Sequence, residues 1–154
     1  IQNITKIAEE QNDAPITVAS LNELKEYELK LVPDLKIPGK GFCSTALGTT
    51  GSEFSFQSFA PGTETGFLHS HKSHEELYFF LSGKGEFQVD GTVFPVEEGS
   101  VVRVSPAGKR SVRNNGATPL LMLCIQYCSN TFSQEDATDG IILKDPVKWK
   151  VAPK

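Results

Sequence analysis

Turn signals recur along the middle of this chain and leave room only for short strands between them. They include GTTG at 48–51, PG at 61–62, DG at 90–91 and NNG at 114–116. Gly, Pro, Asn and Asp are the residues that tight turns favour, and an Asp-Gly pair is typical of a two-residue hairpin loop. Short strands separated by turns about every 8–12 residues predict an all-β sandwich or barrel.

The strand-like runs between these turns number roughly eight to nine. They are Gly41–Leu47, Glu53–Phe59, the run that holds His69 and His71, Glu76–Leu81, Glu86–Val89, Thr92–Phe94, Ser100–Val104, Ser111–Arg113 and Leu120–Cys128. The last run is apolar on both of its faces, so we expect it to be buried on both sides.

The composition fits one ordinary globular domain. The chain has 154 residues, of which 38% are hydrophobic and 22% charged. A chain of this length buries roughly 70% of its unfolded surface without disulfide support. A net charge of −4 and the lack of a basic run argue against nucleic acid as a partner. The longest aliphatic run, Leu120–Ile125, is far shorter than the roughly 20 residues that span a bilayer, so we expect no membrane partner.

The three cysteines, Cys43, Cys124 and Cys128, show no CxxC spacing. On one strand, the Cα atoms of Cys124 and Cys128 would lie about 13 Å apart, too far for a disulfide. We therefore expect a reducing, cytoplasmic location. The chain begins at Ile1 and not at Met, which leaves a removed leader open.

All three histidines fall in one short stretch, His69 to His74, just before Glu76. His69 and His71 are two residues apart, so on an extended strand their imidazoles point to the same side. If this strand pairs with the run 76–81, two imidazoles and the Glu76 carboxylate converge. Such a set suits a first-row divalent metal. The alternative is a hydrogen-bonded polar cluster without metal.

The two ends of the chain differ from the β-rich middle. We interpret residues 1–40 as an arm with a short helix, Leu21 to about Tyr27, which a capping box at Ser20 and Glu23 would begin. Residues 41–128 form the barrel. Residues 129–154 are a polar extension with apolar positions at 141–143 and Trp149, which we expect to pack over the outside of the β core.

The middle of the chain resembles the cupins, which are small double-stranded β-helix, or jelly-roll, barrels. The first cupin motif has a glycine, two histidines that flank one residue, a glutamate and a second glycine. The second motif has a glycine, a Pro-x-Gly turn, a histidine three residues later and an asparagine four residues after that. The matching residues are Gly62, His69, His71, Glu76 and Gly83, then Gly99, Pro106-Ala107-Gly108 and Asn115, whereas Ser111 stands at the position of the second motif's histidine.

The resemblance implies a single-domain conserved-barrel cupin over residues 41–128, with His69, His71 and Glu76 as metal ligands at one mouth of the barrel. Ser111 then stands where the fourth ligand histidine is expected, which leaves that position to water or open. The metal would be one divalent ion, with Fe, Mn, Zn and Ni all open. Two histidines and a carboxylate also occur in non-haem iron oxygenases and catalytic zinc sites.

Several other residues are candidates for the cavity or the surface. Substrate-binding candidates are Tyr78, Phe80, Gln126 and Ser111, although core packing explains Tyr78 and Phe80 equally well. Gln126 interrupts an apolar strand and needs a partner, either on a neighbouring strand or in a ligand. We expect His74 to be a solvated loop residue, Glu75, Arg103 and Arg113 to face outward, and Lys109 and Arg110 to be solvated in a turn.

Three functions remain open from the sequence. The first is a metal-dependent oxygenase or isomerase that acts on a small molecule. The second is a non-catalytic barrel that binds a small carbohydrate-like or carboxylate ligand and has a degenerate metal site. The third is a purely structural barrel. In each case we expect a homodimer.

Overall fold

The computed structural model describes residues 4–6, 12–13, 16–18, 21, 28–32, 35–38 and 40–149. Its strands in these ranges are β1 Ile4–Lys6, β2 Ile16–Val18, β3 Glu28–Val32, β4 Leu35–Pro38, β5 Lys40–Phe42, β6 Glu53–Phe59, β7 His74–Ser82, β8 Lys84–Val89, β9 Thr92–Glu97, β10 Val101–Val104, β11 Arg110–Arg113 and β12 Leu120–Cys128. A short helix, α1, spans Ser44–Leu47, and one 3₁₀ turn spans Asp136–Thr138. No described helix has the length and apolar character that crossing a membrane would require.

Two antiparallel sheets form the body of the domain. One has the strand order β10-β7-β12-β6-β5 and the other the order β11-β8-β9. Their inner faces meet through aromatic side chains, with Tyr78 of β7 and Phe87 of β8 at a ring-centroid distance of 4.9 Å. Phe87 is fully buried. Truncating a core Phe typically costs about 3–5 kcal/mol of stability, so this contact between the sheets is a major source of it. The expected all-β jelly-roll fold is therefore confirmed.

Strand alternation explains which side chains reach the core. On β12, Leu120, Met122 and Cys124 are buried, whereas the residues between them are half-buried. The expectation of full burial on both faces is therefore wrong. The hairpin between β8 and β9 turns at Asp90 and Gly91, whose φ angles are 49° and 84°. Two positive φ angles are what a type I′ turn needs.

The predicted strand Gly41–Leu47 is wrong in its second half. The strand β5 ends at Phe42, and α1 begins at Ser44. Gly48 ends α1 with a φ of 68°, and its N–H donates to the carbonyl of Ser44 at 2.7 Å. A glycine in the left-handed region is a common helix C-cap. The strands Glu53–Phe59 and Leu120–Cys128 have the predicted bounds.

The regions outside the two sheets are only partly described. The strands β1 and β2 pair with each other, as do β3 and β4. The predicted helix from Leu21 to Tyr27 lies outside the described residues except at its first position. In the C-terminal segment, the apolar side chains are exposed and do not pack on the barrel as expected: Phe132, Ile141, Ile142, Leu143, Val147 and Trp149.

Candidate metal centre

The glutamate of the candidate site comes from the centre of the larger sheet. Glu76, Tyr78 and Phe80 alternate along β7 and are all buried, which confirms that they share one face. On either side, β10 and β12 hydrogen-bond to β7, with Glu76 opposite Val104 and Gln126. Both edges of β7 are therefore occupied, and the carboxylate of Glu76 is fixed in the interior.

The histidines reach the same point from the other sheet. The segment before β7 is not a regular strand. The predicted pairing of this segment with β7 is wrong, because β10 and β12 occupy both edges of β7. The segment is held instead beside β11: His69 and Arg110 exchange two backbone hydrogen bonds of 3.2 and 3.0 Å, and the N–H of His71 donates to the carbonyl of Pro106 at 2.8 Å.

The three predicted ligands converge on one carboxylate oxygen. Nε2 of His71 lies 2.9 Å and Nε2 of His69 3.4 Å from Oε1 of Glu76. One ligand atom from each residue falls within 4.8 Å of the others. Atoms that bind one metal at about 2.0–2.2 Å lie at most about 4.4 Å apart, so a small imidazole rotation closes the set. Two imidazoles and a carboxylate fit a divalent metal in both chemistry and spacing.

The surroundings favour the protonation states that ligands need. Burial alone would raise the pKa of Glu76, but hydrogen bonds from His69, Cys124 and Tyr78 hold it below its usual range. The Tyr78 hydroxyl donates to Oε1 at 2.8 Å and the Cys124 thiol to Oε2 at 2.9 Å. Burial lowers the pKa of His71 despite the neighbouring Glu76 carboxylate. A neutral imidazole and an ionised carboxylate are the forms that coordinate metals.

Arg110 is the residue of this site that the sequence reasoning missed. It was expected to be solvated in a turn, yet it is 1% exposed and its Nη1 lies 2.6 Å from Oε1 of Glu76. Its Nη2 donates to the carbonyl of Ser105 at 2.7 Å. Arg110 begins β11, in which Arg110 and Val112 face inward and Arg113 faces outward. A permanent cation therefore lies among the candidate ligands.

The register of the second motif explains this error. The buried asparagine is Asn114, whose side chain donates to the carbonyls of Phe59 and Thr118 at 2.9 and 2.8 Å. The position four residues before it is Arg110 and not Ser111. The turn after Pro106 is thus one residue shorter than the motif assumes, and Arg110 stands where the fourth ligand histidine was expected. Counting four residues back from Asn114, the first of the two asparagines, would have identified Arg110.

The remaining candidates divide between the cavity and the core. A cavity of about 260 Å³ adjoins the cluster, and Tyr78, Ser111 and Gln126 contribute to its lining. Phe80 is not part of that lining; it is 2% exposed and packs edge-on against Phe87 in the core. Core packing is therefore the better account of Phe80.

His74 is not a solvated loop residue, because it is the first residue of β7. Its Nδ1 lies 2.8 Å from Oε1 of Gln126, which gives Gln126 a partner on the neighbouring strand. Arg103 and Arg113 face outward as expected and pair with Glu75 and Glu86.

Two buried nitrogen atoms at the site have no hydrogen-bond partner among the described residues. They are Nδ1 of His69 and Nε of Arg110. Leaving a buried polar atom without a partner is costly, so both atoms favour a site that has a bound molecule or ion nearby.

Comparisons with known proteins agree with this architecture. A family model of the cupin domain matches residues 55–126. The crystal structure of a cupin protein from Bacteroides fragilis superposes with a TM-score of 0.64 at 31% identity, over 76% of this chain and 96% of that one.

Two curated relatives each match slightly less than half of the chain. An uncharacterized protein from Methanocaldococcus jannaschii is 35% identical over 69 residues, which are 45% of this chain and 54% of that protein. An oxalate-binding protein from Thermotoga maritima is 32% identical over 72 residues, which are 47% of this chain and 59% of that protein. The chain thus spans between half and two thirds of the length of these relatives.

The two facing sheets, with a histidine–glutamate cluster between them, define a double-stranded β-helix protein with a candidate metal centre. The chain belongs to the cupin superfamily.

The second glycine of the first motif, Gly83, is required by packing as well as by its φ of 86°, since a Cβ there would lie 2.3 Å from the carbonyl oxygen of Pro119.

Proposed function

We propose that this cupin binds one divalent metal through His69, His71 and Glu76 and admits a small molecule to the adjoining cavity. The observation that carries the proposal is the convergence of three donor atoms, one from β7 and two from the segment beside β11, within 4.8 Å. Fe, Mn, Zn and Ni all accept two imidazoles and a carboxylate.

Oxygenation or isomerisation of the bound molecule is the catalytic form of this proposal. A metal in such a site supplies Lewis-acid polarisation of a coordinated oxygen atom. The protein's own contribution is to fix the ligands and to exclude water. Tyr78, which is 4% exposed and bonded to Glu76, holds the carboxylate in one orientation. Phe42 and Met122 form an apolar part of the cavity wall.

A non-catalytic binder of small carboxylates is the second candidate, and Arg110 is the observation that favours it. Among the described residues, the cavity lining includes Arg110 and Lys40 as cations and Glu76 as its one carboxylate. Guanidinium groups pair well with carboxylates. The relative from Thermotoga maritima is named for oxalate binding, which supports a carboxylate over a carbohydrate-like ligand here.

Two further proposals concern the setting of the protein. A homodimer is supported by the half-exposed Leu68 and Val93, which line a surface groove of about 340 Å³. Light scattering on the wild type and on Leu68→Asp tests this, because a monomeric wild type contradicts the proposal. A cytoplasmic location is supported by Cys124 and Cys128, neither of which forms a disulfide among the described residues.

Metal content is the first experiment. We expect about one metal per chain in the purified wild type and a loss of most of it in His69→Ala. His74→Ala is the matched control, because His74 bonds to Gln126 and lies outside the proposed ligand set. If His69→Ala retains the metal, or if His74→Ala loses it equally, the ligand assignment is wrong.

A second experiment separates the enzyme from the binder. Protein loaded with Fe(II) is mixed with a panel of small carboxylic acids, and both oxygen consumption and product formation are followed. Turnover that His69→Ala abolishes supports the enzyme. Saturable binding of one acid without turnover supports the binder.

A further inference from the structure

Arg110 changes what a metal site at this position can bind. It occupies the place of the fourth ligand, four residues before the buried Asn114. A guanidinium stays protonated in proteins and offers donors but no lone pair, so it cannot coordinate a metal. The fourth position therefore contributes a fixed positive charge.

The structure holds this charge in place from several sides. Nη1 contacts Glu76 at 2.6 Å and Nη2 contacts the carbonyl of Ser105 at 2.7 Å, while the buried Nε has no hydrogen-bond partner among the described residues. The side chain is 1% exposed and contributes to the cavity lining. A buried guanidinium is stable only when its charge is paired, and Glu76 supplies that pairing.

A bound divalent metal would leave the site with too much positive charge. The charges of Glu76 and Arg110 sum to zero, so a divalent ion would raise the total to about +2 beside two side chains that are only 5% and 1% exposed. With a neutral histidine at position 110 the total would be about +1. Lys40 at the cavity adds to the excess. A ligand with two negative charges balances the site, and a small dicarboxylate is the simplest such ligand.

We infer that Arg110 is the carboxylate-binding residue of the cavity and that it makes metal and dicarboxylate binding mutually dependent. This inference rests on the proposed metal site. Nη1 of Arg110 lies 2.6 Å from Oε1 of Glu76, so a metal held by His69, His71 and Glu76 would compete with the guanidinium for the same carboxylate and would leave Arg110 available to the ligand. By linkage, the ligand must then strengthen metal binding by the same factor.

Calorimetric titration with malonate tests the coupling, with uncharged malonamide as the control ligand. We expect metal-loaded wild type to bind malonate about tenfold or more tightly than metal-free wild type. Arg110→Gln should lose about tenfold or more of its malonate affinity in the loaded state. Arg103→Gln is the matched control, because Arg103 is 60% exposed on the outer face, and it should bind malonate as the wild type does.

Arg110→His keeps the test decisive if Arg110→Gln does not fold. It replaces the cation with a metal ligand, so zinc should bind several-fold more tightly, as competition with a fluorescent chelator measures, and malonate more weakly. Circular dichroism verifies the fold of each variant.

The outcomes separate this inference from the proposed function. Metal binding by His69 and His71 with unchanged malonate affinity in folded Arg110 variants overturns the inference and leaves the proposed function standing. A wild type that takes up no metal overturns the proposed function and the coupling together. Equal malonate and malonamide affinities also overturn the inference, because charge would then play no part.

Discussion

Two neighbouring glutamates on β7, Glu75 and Glu76, have the same kinds of partner on opposite faces of the sheet. Glu76 points inward to the Arg110 guanidinium at 2.6 Å and the Tyr78 hydroxyl at 2.8 Å. Glu75 points outward to the Arg103 guanidinium at 3.1 Å and the Tyr127 hydroxyl at 2.6 Å. We call these the inner and outer glutamate clusters.

The clusters differ in their exposure to solvent. The side chains of Arg110 and Glu76 are 1% and 5% exposed, whereas those of Arg103 and Glu75 are 60% and 20% exposed. Water screens the outer pair, and such pairs typically contribute about 0–1 kcal/mol. The inner pair has no such screening, so the loss of one partner leaves a buried charge. Similar contacts therefore carry different consequences.

The largest expected effect is on the inner arginine. Arg110→Met should lower the free energy of unfolding by about 3–5 kcal/mol, because it leaves the Glu76 carboxylate buried without its main countercharge. Urea unfolding at neutral pH measures the change. A loss below about 1 kcal/mol, similar to that of an exposed pair, would contradict the distinction between the clusters.

The second-largest expected effect is a difference between Glu76 and Glu75 in how they make stability depend on pH. The pKa of Glu76 is lower in the folded than in the unfolded protein, so its ionised form stabilises the fold above its unfolded pKa, and this contribution is lost as the pH falls through the folded pKa. The stability difference between wild type and Glu76→Gln should therefore be largest above about pH 4.5 and shrink in stronger acid.

Glu75→Gln is the comparison for this pH experiment. The Tyr127 hydrogen bond also lowers the pKa of Glu75, so ionised Glu75 should likewise stabilise the fold at neutral pH. Solvent screening should make this contribution to stability smaller than that of Glu76. Urea unfolding between neutral pH and pH values below 4.5 measures both. An equal slope in the two variants would indicate that burial does not separate the clusters.

The tyrosines should show a smaller contrast. Tyr78→Phe removes a buried hydroxyl that donates to a charged group, which typically costs about 1.5–3 kcal/mol. Thermal unfolding should therefore show a clear loss for Tyr78→Phe and a lesser one for the half-buried Tyr127. If Tyr127→Phe costs more than Tyr78→Phe, the inner hydrogen bond is not the stronger one.

The smallest effect is expected at the outer arginine. Arg103→Met should change the free energy of unfolding by about 1 kcal/mol or less, and added salt should reduce even this. Urea unfolding at low and high salt is the measurement. A large, salt-independent loss would mean that Arg103 is buried in solution, as it would be at an interface.

The alternation of strands made much of this arrangement predictable. A period of two places Glu76, Tyr78 and Phe80 on one face and Glu75 on the other, and the structure agrees. The paired histidines also indicated where donor atoms would gather. These features depend on local spacing, which a single sequence contains.

What the sequence did not predict depends on long-range pairing. One residue fewer in the turn after Pro106 moves every side chain of β11 to the opposite face, so Arg110 replaces Ser111 in the interior. The histidine segment pairs with β11 and not with β7, and no local pattern distinguishes these partners. The helix α1 replaced the end of a predicted strand because Gly48 permits a left-handed cap.

The reciprocal bonds between His69 and Arg110 use only main-chain atoms. They do not involve the two side chains, so a non-proline substitution at either position leaves both hydrogen-bonding groups in place. Arg110→His alone would give a site with three histidines and Glu76, and Lys40 would remain as a cation of the cavity. A change from an anion-binding to a tightly metallated form would therefore need one substitution in the site, together with added stability elsewhere to offset the lost Arg110–Glu76 pair.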